Sequence, residues 1–343
     1  LKQKTASRKF YFLMKNQFNH FNMTSENPLN EMKAFHEKLS SIMAPLKMAS
    51  DFSHLFFKDN NDFIKEIELR WNYHNNHNKD YVSGITTGID CLDKQAILLE
   101  PGNLIVIAAR PSVGKTAFAL NIAHHISVVL NGVVGFFSLE MSHQQIAERI
   151  LSYCCEVSVE DLRRGNFSKE KLLSIKETEE FLLTKHFFIC DKNISTIDQI
   201  IGKAEGLAKK YPLSIIFIDY LQLISAENKN ENRQNEIANV SMQLKSLAKN
   251  LNIPVVCLSQ LSRKVEDRTD KRPVMSDLRD SGQIEQDADA ILLLYNKDHH
   301  HSPNNNVNVM DVFLCKNRHG PTLSFRLNFT KSFGSFSLCD HNW

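Results

Sequence analysis

The sequence predicts an α/β fold: a mostly parallel central sheet with helices on both faces, a C-terminal β-hairpin and a short helical N-terminal extension. Three observations carry this. From Tyr81 onward, short apolar runs alternate with longer runs of helical periodicity, the pattern of strands joined by crossover helices. One apolar run, Leu104 to Ala108, leads through a tight loop into a helix opened by Gly114-Lys115-Thr116. Ahead of Tyr81, the stretch Asn72 to Asp80 is polar and turn-prone, so a hinge separates the front from the body.

The bulk numbers agree. A chain of 343 residues suits roughly two domains, or one large α/β domain with an appendage, and 42% hydrophobic with 23% charged residues is enough for a sizeable core. A formal charge of +2 gives no overall field for a polyanion, so any nucleic-acid contact must come from local loops. The seven cysteines contain no C-x-x-C pair and several sit in apolar runs. They read as reduced core residues of a cytoplasmic protein rather than disulfides or zinc ligands. No apolar run approaches the ~20 residues that cross a bilayer.

In chain order, residues 1–60 are expected to form an N-terminal extension, short or truncated and partly disordered. Its first 23 residues hold five basic residues and no acid, and apolar positions 32, 35, 39, 42 and 43 fit a short amphipathic helix that Pro45 interrupts. Residues 61–80 form a linker helix and hinge, with Phe63, Ile64, Ile67 and Trp71 as the apolar positions of a helix lacking a core of its own. Residues 81–343 form the body. Strands are expected at 104–108, 133–139, 187–190, 214–219, 254–259 and 290–295, and helices at 116–130, 143–154, 196–210 and 234–250. Two further β runs, 307–316 and 322–329, flank His319-Gly320-Pro321 as a hairpin tip.

The loop from Ala109 to Ala117 makes a phosphate cradle. A helix N-terminus leaves backbone N–H groups unpaired and carries partial positive charge, so a polyphosphate sits there favourably. Lys115 would reach the terminal phosphates and the Thr116 hydroxyl would hold Mg²⁺. The usual pattern is G-x-x-x-x-G-K-[ST]; Ala109 stands at the first glycine, and Arg110, Pro111, Ser112 and Val113 fill the turn, Pro111 stiffening it.

Other stretches also carry chemistry. Ile215 to Asp219 is an apolar strand ending in a carboxylate, the position that supports Mg²⁺ beside a phosphate loop. Phe136 to Glu140 ends the same way. Glu140 there either deprotonates an attacking water or serves as a helix-entry acid beside Ser142, the expected N-cap. Gln260 closes a third strand and either senses a γ-phosphate or is a solvated strand end. Lys316 and Arg318 precede the hairpin tip, where they are surface charge or cations offered to a neighbouring subunit's nucleotide. Arg263 to Arg279 holds six basic residues against four acids in a loop long enough to be functional, which is either a surface for nucleic-acid phosphates or a solvated surface loop. His299-His300-His301 reads as a solvated loop.

Taken together, these stretches resemble the DnaB family of replicative helicases, bacterial or of phage or plasmid type. The matching runs are Gly84-Ile85-Thr86-Thr87-Gly88-Ile89-Asp90, Ala108 to Thr116, Phe137-Ser138-Leu139-Glu140-Met141 and Ile218 to Ile224. They continue with Leu258 to Arg263, Asp270 to Gly282, and Ile284-Glu285-Gln286-Asp287-Ala288-Asp289, in the family's order over roughly residues 62 to 330. The resemblance implies a RecA-like P-loop NTPase core in a hexameric ring, with ATP between subunits and Mg²⁺ as cofactor. It implies 5′→3′ movement on single-stranded DNA and duplex unwinding driven by hydrolysis.

Residue by residue, the resemblance assigns Lys115, Thr116 and Asp219 to nucleotide and Mg²⁺, Glu140 to water activation and Gln260 to γ-phosphate sensing. Arg149 matches an arginine packed against the nucleotide. Lys316 and Arg318 match a pair reaching the adjacent protomer's phosphates. Arg279, Asp280 and Gly282 match a loop that follows the strand through the pore. A helicase loader is an implied partner. Primase engagement is less supported, because the family's helical collar domain has no convincing counterpart among the first sixty residues. A recombinase-type ATPase and an ATP-dependent DNA-binding protein without unwinding activity share the same core.

Overall fold

The computed structural model describes residues 84–96, 98–224, 233–278, 282–296 and 306–339, together with Glu68, Trp71 and Asn72. The expected helix over residues 30–43, the first half of the linker helix, the hinge beyond Asn72 and the triple-histidine stretch lie outside the described residues. Glu68, Trp71 and Asn72 are helical and exposed, in a unit separate from the body.

The body opens with helix α1 (Asp90–Gln95) and strand β1 (Leu104–Ala109). It continues through α2 (Lys115–His124), β2 (Val133–Ser138), α3 (His143–Cys155), α4 (Val159–Arg164), α5 (Lys169–Leu183) and β3 (Phe187–Cys190). Then come α6 (Ile197–Lys210), β4 (Leu213–Asp219), α7 (Arg233–Leu251), β5 (Val255–Gln260), α8 (Gly282–Asp287) and β6 (Ala290–Asn296). Strands β7 (Val307–Asn317), β8 (Leu323–Thr330) and β9 (Ser335–Leu338) finish it.

These nine strands form one sheet in the order β3-β2-β4-β5-β1-β6-β7-β8-β9. The first six in that order run parallel, and β7, β8 and β9 add antiparallel at one edge. β1 lies inside, paired to β5 and β6, and each of its six residues is buried. That is why it reads as an unbroken apolar run rather than an alternating one.

Successive side chains of a strand point to opposite faces, so the sheet divides its core in two. Ile105, Ile107, Phe136 and Phe217 pack on one face with Phe118 and Ile146. Leu104, Val106, Ile216 and Ile218 pack on the other with Ile200 and Leu244. Helix starts are fixed locally: Ser142 with Gln145, and Thr196 with Gln199, form capping boxes on α3 and α6.

The expected strands and the hairpin are present within a residue or two. Four differences stand out. The helix expected over 116–130 ends as an α-helix at His124 and closes through a π turn, His125–Val129, before Asn131 at a φ of 52°. Helices α4 and α5 went unanticipated because neither contains a buried residue, so no apolar stripe marks them. Helix α8 and strand β9 are too short, at six and four residues, to show a period. The basic stretch after Arg263 folds into two 3₁₀ turns tied by Arg268, which pairs with Asp277 at 2.7 Å.

Candidate nucleotide site

The carboxyl ends of β1, β2, β4 and β5 meet at one edge of the sheet, where open α/β sheets place ligands. The register sets this out: Ala109 lies opposite Gln260, and Ser138 opposite Asp219. A cavity of about 570 Å³ opens there, walled by the 109–117 loop, Glu140, Arg149, Tyr220 and Gln260.

The loop curls because two residues take left-handed backbone, Ser112 at φ 62° and Gly114 at φ 115°. Gly114 is needed on two counts. Its φ disfavours a side chain, and a Cβ would come 3.1 Å from the Phe329 ring. Gly114 then serves as N-cap of α2 without a capping side chain, leaving the first N–H groups of the helix free to face an anion.

Behind the loop, Asp219 is completely buried. Its Oδ2 accepts from the Thr116 hydroxyl at 2.7 Å, and its Oδ1 lies 3.4 Å from Lys115 Nζ. Among the described residues, Oδ1 accepts no hydrogen bond. Lys115 also sits over the Tyr220 ring, 4.2 Å from its centroid. A buried carboxylate oxygen without a donor, beside a hydroxyl, is the oxygen donor set a hard divalent cation takes, so Mg²⁺ fits these residues.

Glu140 stands exposed just past β2. Its backbone is pinned on both sides: Leu139 N–H donates to Asp219 O at 2.7 Å, and Ser138 Oγ exchanges bonds with Met141 at 2.6 and 3.1 Å. Arg149, on the second turn of α3, lines the cavity wall. Burial and then the nearby Arg163 lower its pKa, while Asp219 and Glu140 pull the other way.

The phosphate-loop residues do not all face the cavity alike. Arg110 lines it, yet its guanidinium turns away to Glu266 at 2.7 Å and to Leu261 O at 2.8 Å. Val113 is buried in the core. Pro111, Ser112, Lys115, Thr116 and Ala117 all contribute to the wall.

Sequence reasoning missed Gln222, Phe329 and Lys331. Gln222 bridges two strand ends, donating to Ser259 Oγ at 2.9 Å and accepting from Gln260 N at 3.1 Å. It lies inside the family-like run from Ile218 to Ile224, so a polar side chain amid apolar neighbours was the available signal. Phe329 and Lys331 reach the cavity from β8 and the turn after it, more than 200 residues downstream, and no local pattern announces them.

Lys316 and Arg318 lie elsewhere. Strand β7 runs antiparallel to β6, with Lys316 opposite Ile291. They therefore sit at the amino-terminal edge of the parallel strands, while the phosphate loop follows their carboxyl ends. The six residues of β1 lie along that gap, ~20 Å at about 3.3 Å per residue. Lys316 Nζ donates to the carbonyls of Glu285 at 2.5 Å and Gln286 at 3.3 Å. Arg318 pairs with Asp289 at 3.1 Å and also donates to Gln286 O, with its side chain 45% exposed. Of the expected strand-tracking residues, Gly282 opens α8 at the surface. Arg279 and Asp280 lie outside the described residues.

Residues 84–338 match the family model described as DnaB-like helicase C terminal domain. The chain is 50% identical over 280 residues to a protein of Chlamydia psittaci named probable plasmid replicative DNA helicase, covering 82% of this chain and 61% of that one. It thus spans about three fifths of that relative's length. Geobacillus stearothermophilus has a replicative DNA helicase DnaB that is 42% identical over 262 residues, covering 76% of this chain and 58% of that one. Among solved structures, one described as a DnaB-like replicative helicase and its interactions with primase reaches a TM-score of 0.80 at 29% identity, over 99% of this chain and 76% of that one.

Proposed function

The chain belongs to the DnaB-like helicase C-terminal domain family, and from that premise we propose that it is the motor of an ATP-dependent replicative DNA helicase. In this reading it assembles as a ring, hexameric by resemblance, and moves 5′→3′ on single-stranded DNA while unwinding duplex. One observation carries the reading. The nucleotide cavity and the Lys316–Arg318 pair stand at opposite ends of the parallel strands, too far apart to act within one chain. That placement supports a split site, in which a second copy brings its cations to the first copy's triphosphate.

The chemistry follows from the geometry. The free N–H groups at the start of α2 and the Lys115 ammonium cradle the phosphates. Thr116 and Asp219 would hold Mg²⁺, partly through water, and when bound it would supply neutralising charge to the triphosphate. Glu140, pinned at the cavity mouth, takes the proton of the water that attacks the γ-phosphorus. Arg149 packs near the nucleotide. Gln260, whose backbone Gln222 clamps, reports whether the γ-phosphate is present. The neighbour's Arg318 and Lys316 stabilise the charge that develops on the transferred group. Arg279, Asp280 and Gly282 follow the backbone of the DNA strand, an assignment supported by the resemblance. A loader and a primase are candidate partners, the second supported by what the structural relative's description states of that protein.

Mass measurement of the purified protein, with and without a non-hydrolysable ATP analogue and single-stranded DNA, paired with a forked-duplex unwinding assay, tests this. Nucleotide-dependent rings that unwind the fork are expected. Persistent monomers under every condition overturn the reading, and strand exchange without unwinding shifts it to a recombinase-type ATPase.

A further inference from the structure

Asp289 is 3% exposed, and both its carboxylate oxygens are committed. Oδ2 accepts from Lys245 Nζ at 2.6 Å and from the Leu104 backbone N–H at 2.7 Å, while Oδ1 accepts from Arg318 at 3.1 Å. The two backbones are also joined, Arg318 N–H donating to Asp289 O at 2.8 Å. A buried carboxylate with one cation would be a neutral pair. Here it has two, Lys245 and Arg318, so the group keeps a net charge of about +1. Lys245 is only 16% exposed against 45% for Arg318. The surplus charge therefore sits on the arginine that faces outward.

The guanidinium is held on one side. One terminal nitrogen meets Asp289 and the other meets Gln286 O, in the last turn of α8. A guanidinium carries five N–H donors in a rigid fork, so this grip fixes its plane and leaves further donors for another group.

We infer that Asp289 is a positioning residue for the in-trans arginine: it aligns Arg318, with Lys245 cancelling the carboxylate's charge so that the arginine keeps its own. This rests on the proposal that Arg318 completes a neighbour's site. Asp289 touches no nucleotide, and it acts through the orientation of Arg318. Small misplacements of a catalytic group can cost up to about 10²-fold, so losing this alignment should lie between a neutral change and loss of the arginine itself.

The test uses the full chain with saturating single-stranded DNA and compares wild type, Asp289→Asn, Arg318→Ala and the double variant. Asparagine keeps the shape and an acceptor for Leu104 N–H. Asp289→Asn should lower kcat about 10-fold or more with KM and ATP-analogue affinity unchanged, and the double variant should be no slower than Arg318→Ala alone. A purely structural role predicts additive losses and weakened nucleotide binding, and either result overturns the inference. If Arg318→Ala lowers turnover but Asp289→Asn does not, the positioning role fails while the split site stands. If Arg318→Ala turns over normally, both fall. Should Asp289→Asn not fold, Asp289→Glu retains the charge but displaces it by one methylene, and the same comparison with Arg318→Ala decides the matter.

Discussion

The Thr116 hydroxyl donates to Asp219 Oδ2 at 2.7 Å, joining the first turn of α2 to the buried end of β4 across more than a hundred residues of sequence. This bond fixes the carboxylate that the proposed cation site uses, and the other oxygen of Asp219 lies toward Lys115. Asp219→Asn preserves the acceptor for Thr116 and removes the charge. It should bind ATP with little Mg²⁺ dependence and lose roughly 10²-fold or more in turnover, by comparison with removing one preorganised charge-stabilising group elsewhere. Fluorescent-nucleotide titration with and without Mg²⁺, alongside phosphate release, measures both.

Glu140 is separable from binding. Its backbone is fixed by Ser138 and by the Asp219 carbonyl, so the fold of the cavity mouth does not rest on its carboxylate. Glu140→Gln should therefore assemble and hold ATP while hydrolysis falls about 10²- to 10⁴-fold, the range for losing a general base. Ordinary single-turnover rates in that variant would remove the assignment.

Much of the body was legible in the sequence, and the reason differs by element. β1 and β4 announce themselves because burial on both faces makes nearly every position apolar. The cradle announces itself because anion binding at a helix start demands a glycine in a left-handed conformation, followed by a cation and a short hydroxyl side chain. Helix α5 was silent, since a helix with no buried residue needs no stripe. Phe329 and Lys331 were silent for another reason: they reach the cavity only after the chain has crossed the whole sheet, and long-range register leaves no mark on local spacing. The pair at 316 and 318 was visible as charge, but its place at the far edge follows from β7 running antiparallel, which no motif encodes.

The core can be tested through Phe217. It is fully buried, packed against Phe136 at 5.8 Å ring to ring and against the helices of that face. Phe217→Ala should cost about 3–5 kcal/mol, since the close-packed layer cannot collapse into the void. Urea denaturation of the two proteins checks the figure.

Acid stability should depend on His124. Burial, with a smaller contribution from His125, lowers its pKa from 6.5 to about 4, and its Nε2 lies 3.2 Å from the Cys154 thiol. Burial pushes that thiol up to about 12, so the pair is neutral. A folded-state pKa below the unfolded one means the unfolded chain takes the proton first. The stability contributed by neutral His124 is then complete above pH 6.5 and drains away as the pH falls toward 4, by roughly 3 kcal/mol at most. Denaturation at neutral pH and again in mild acid, between those two values, should show a smaller acid loss in His124→Gln than in the parent protein.

The proposed split site makes a prediction that a self-contained ATPase cannot meet. Lys115→Ala destroys the cradle but leaves Arg318 to serve a neighbour; Arg318→Ala destroys the reach but leaves the cradle. Each protein alone should be nearly inactive, the second by about 10³-fold with ATP binding retained. Mixed in one ring, a cradle from an Arg318→Ala subunit meets an arginine from a Lys115→Ala subunit, and that interface contains every group the chemistry uses. Turnover should therefore reappear on mixing, rise with the fraction of such interfaces and peak near equal amounts. Phosphate release across a mixing series reads this directly. A series that stays flat at the level of the separate variants would mean the ~20 Å between the two ends of the strands is not bridged by a second copy.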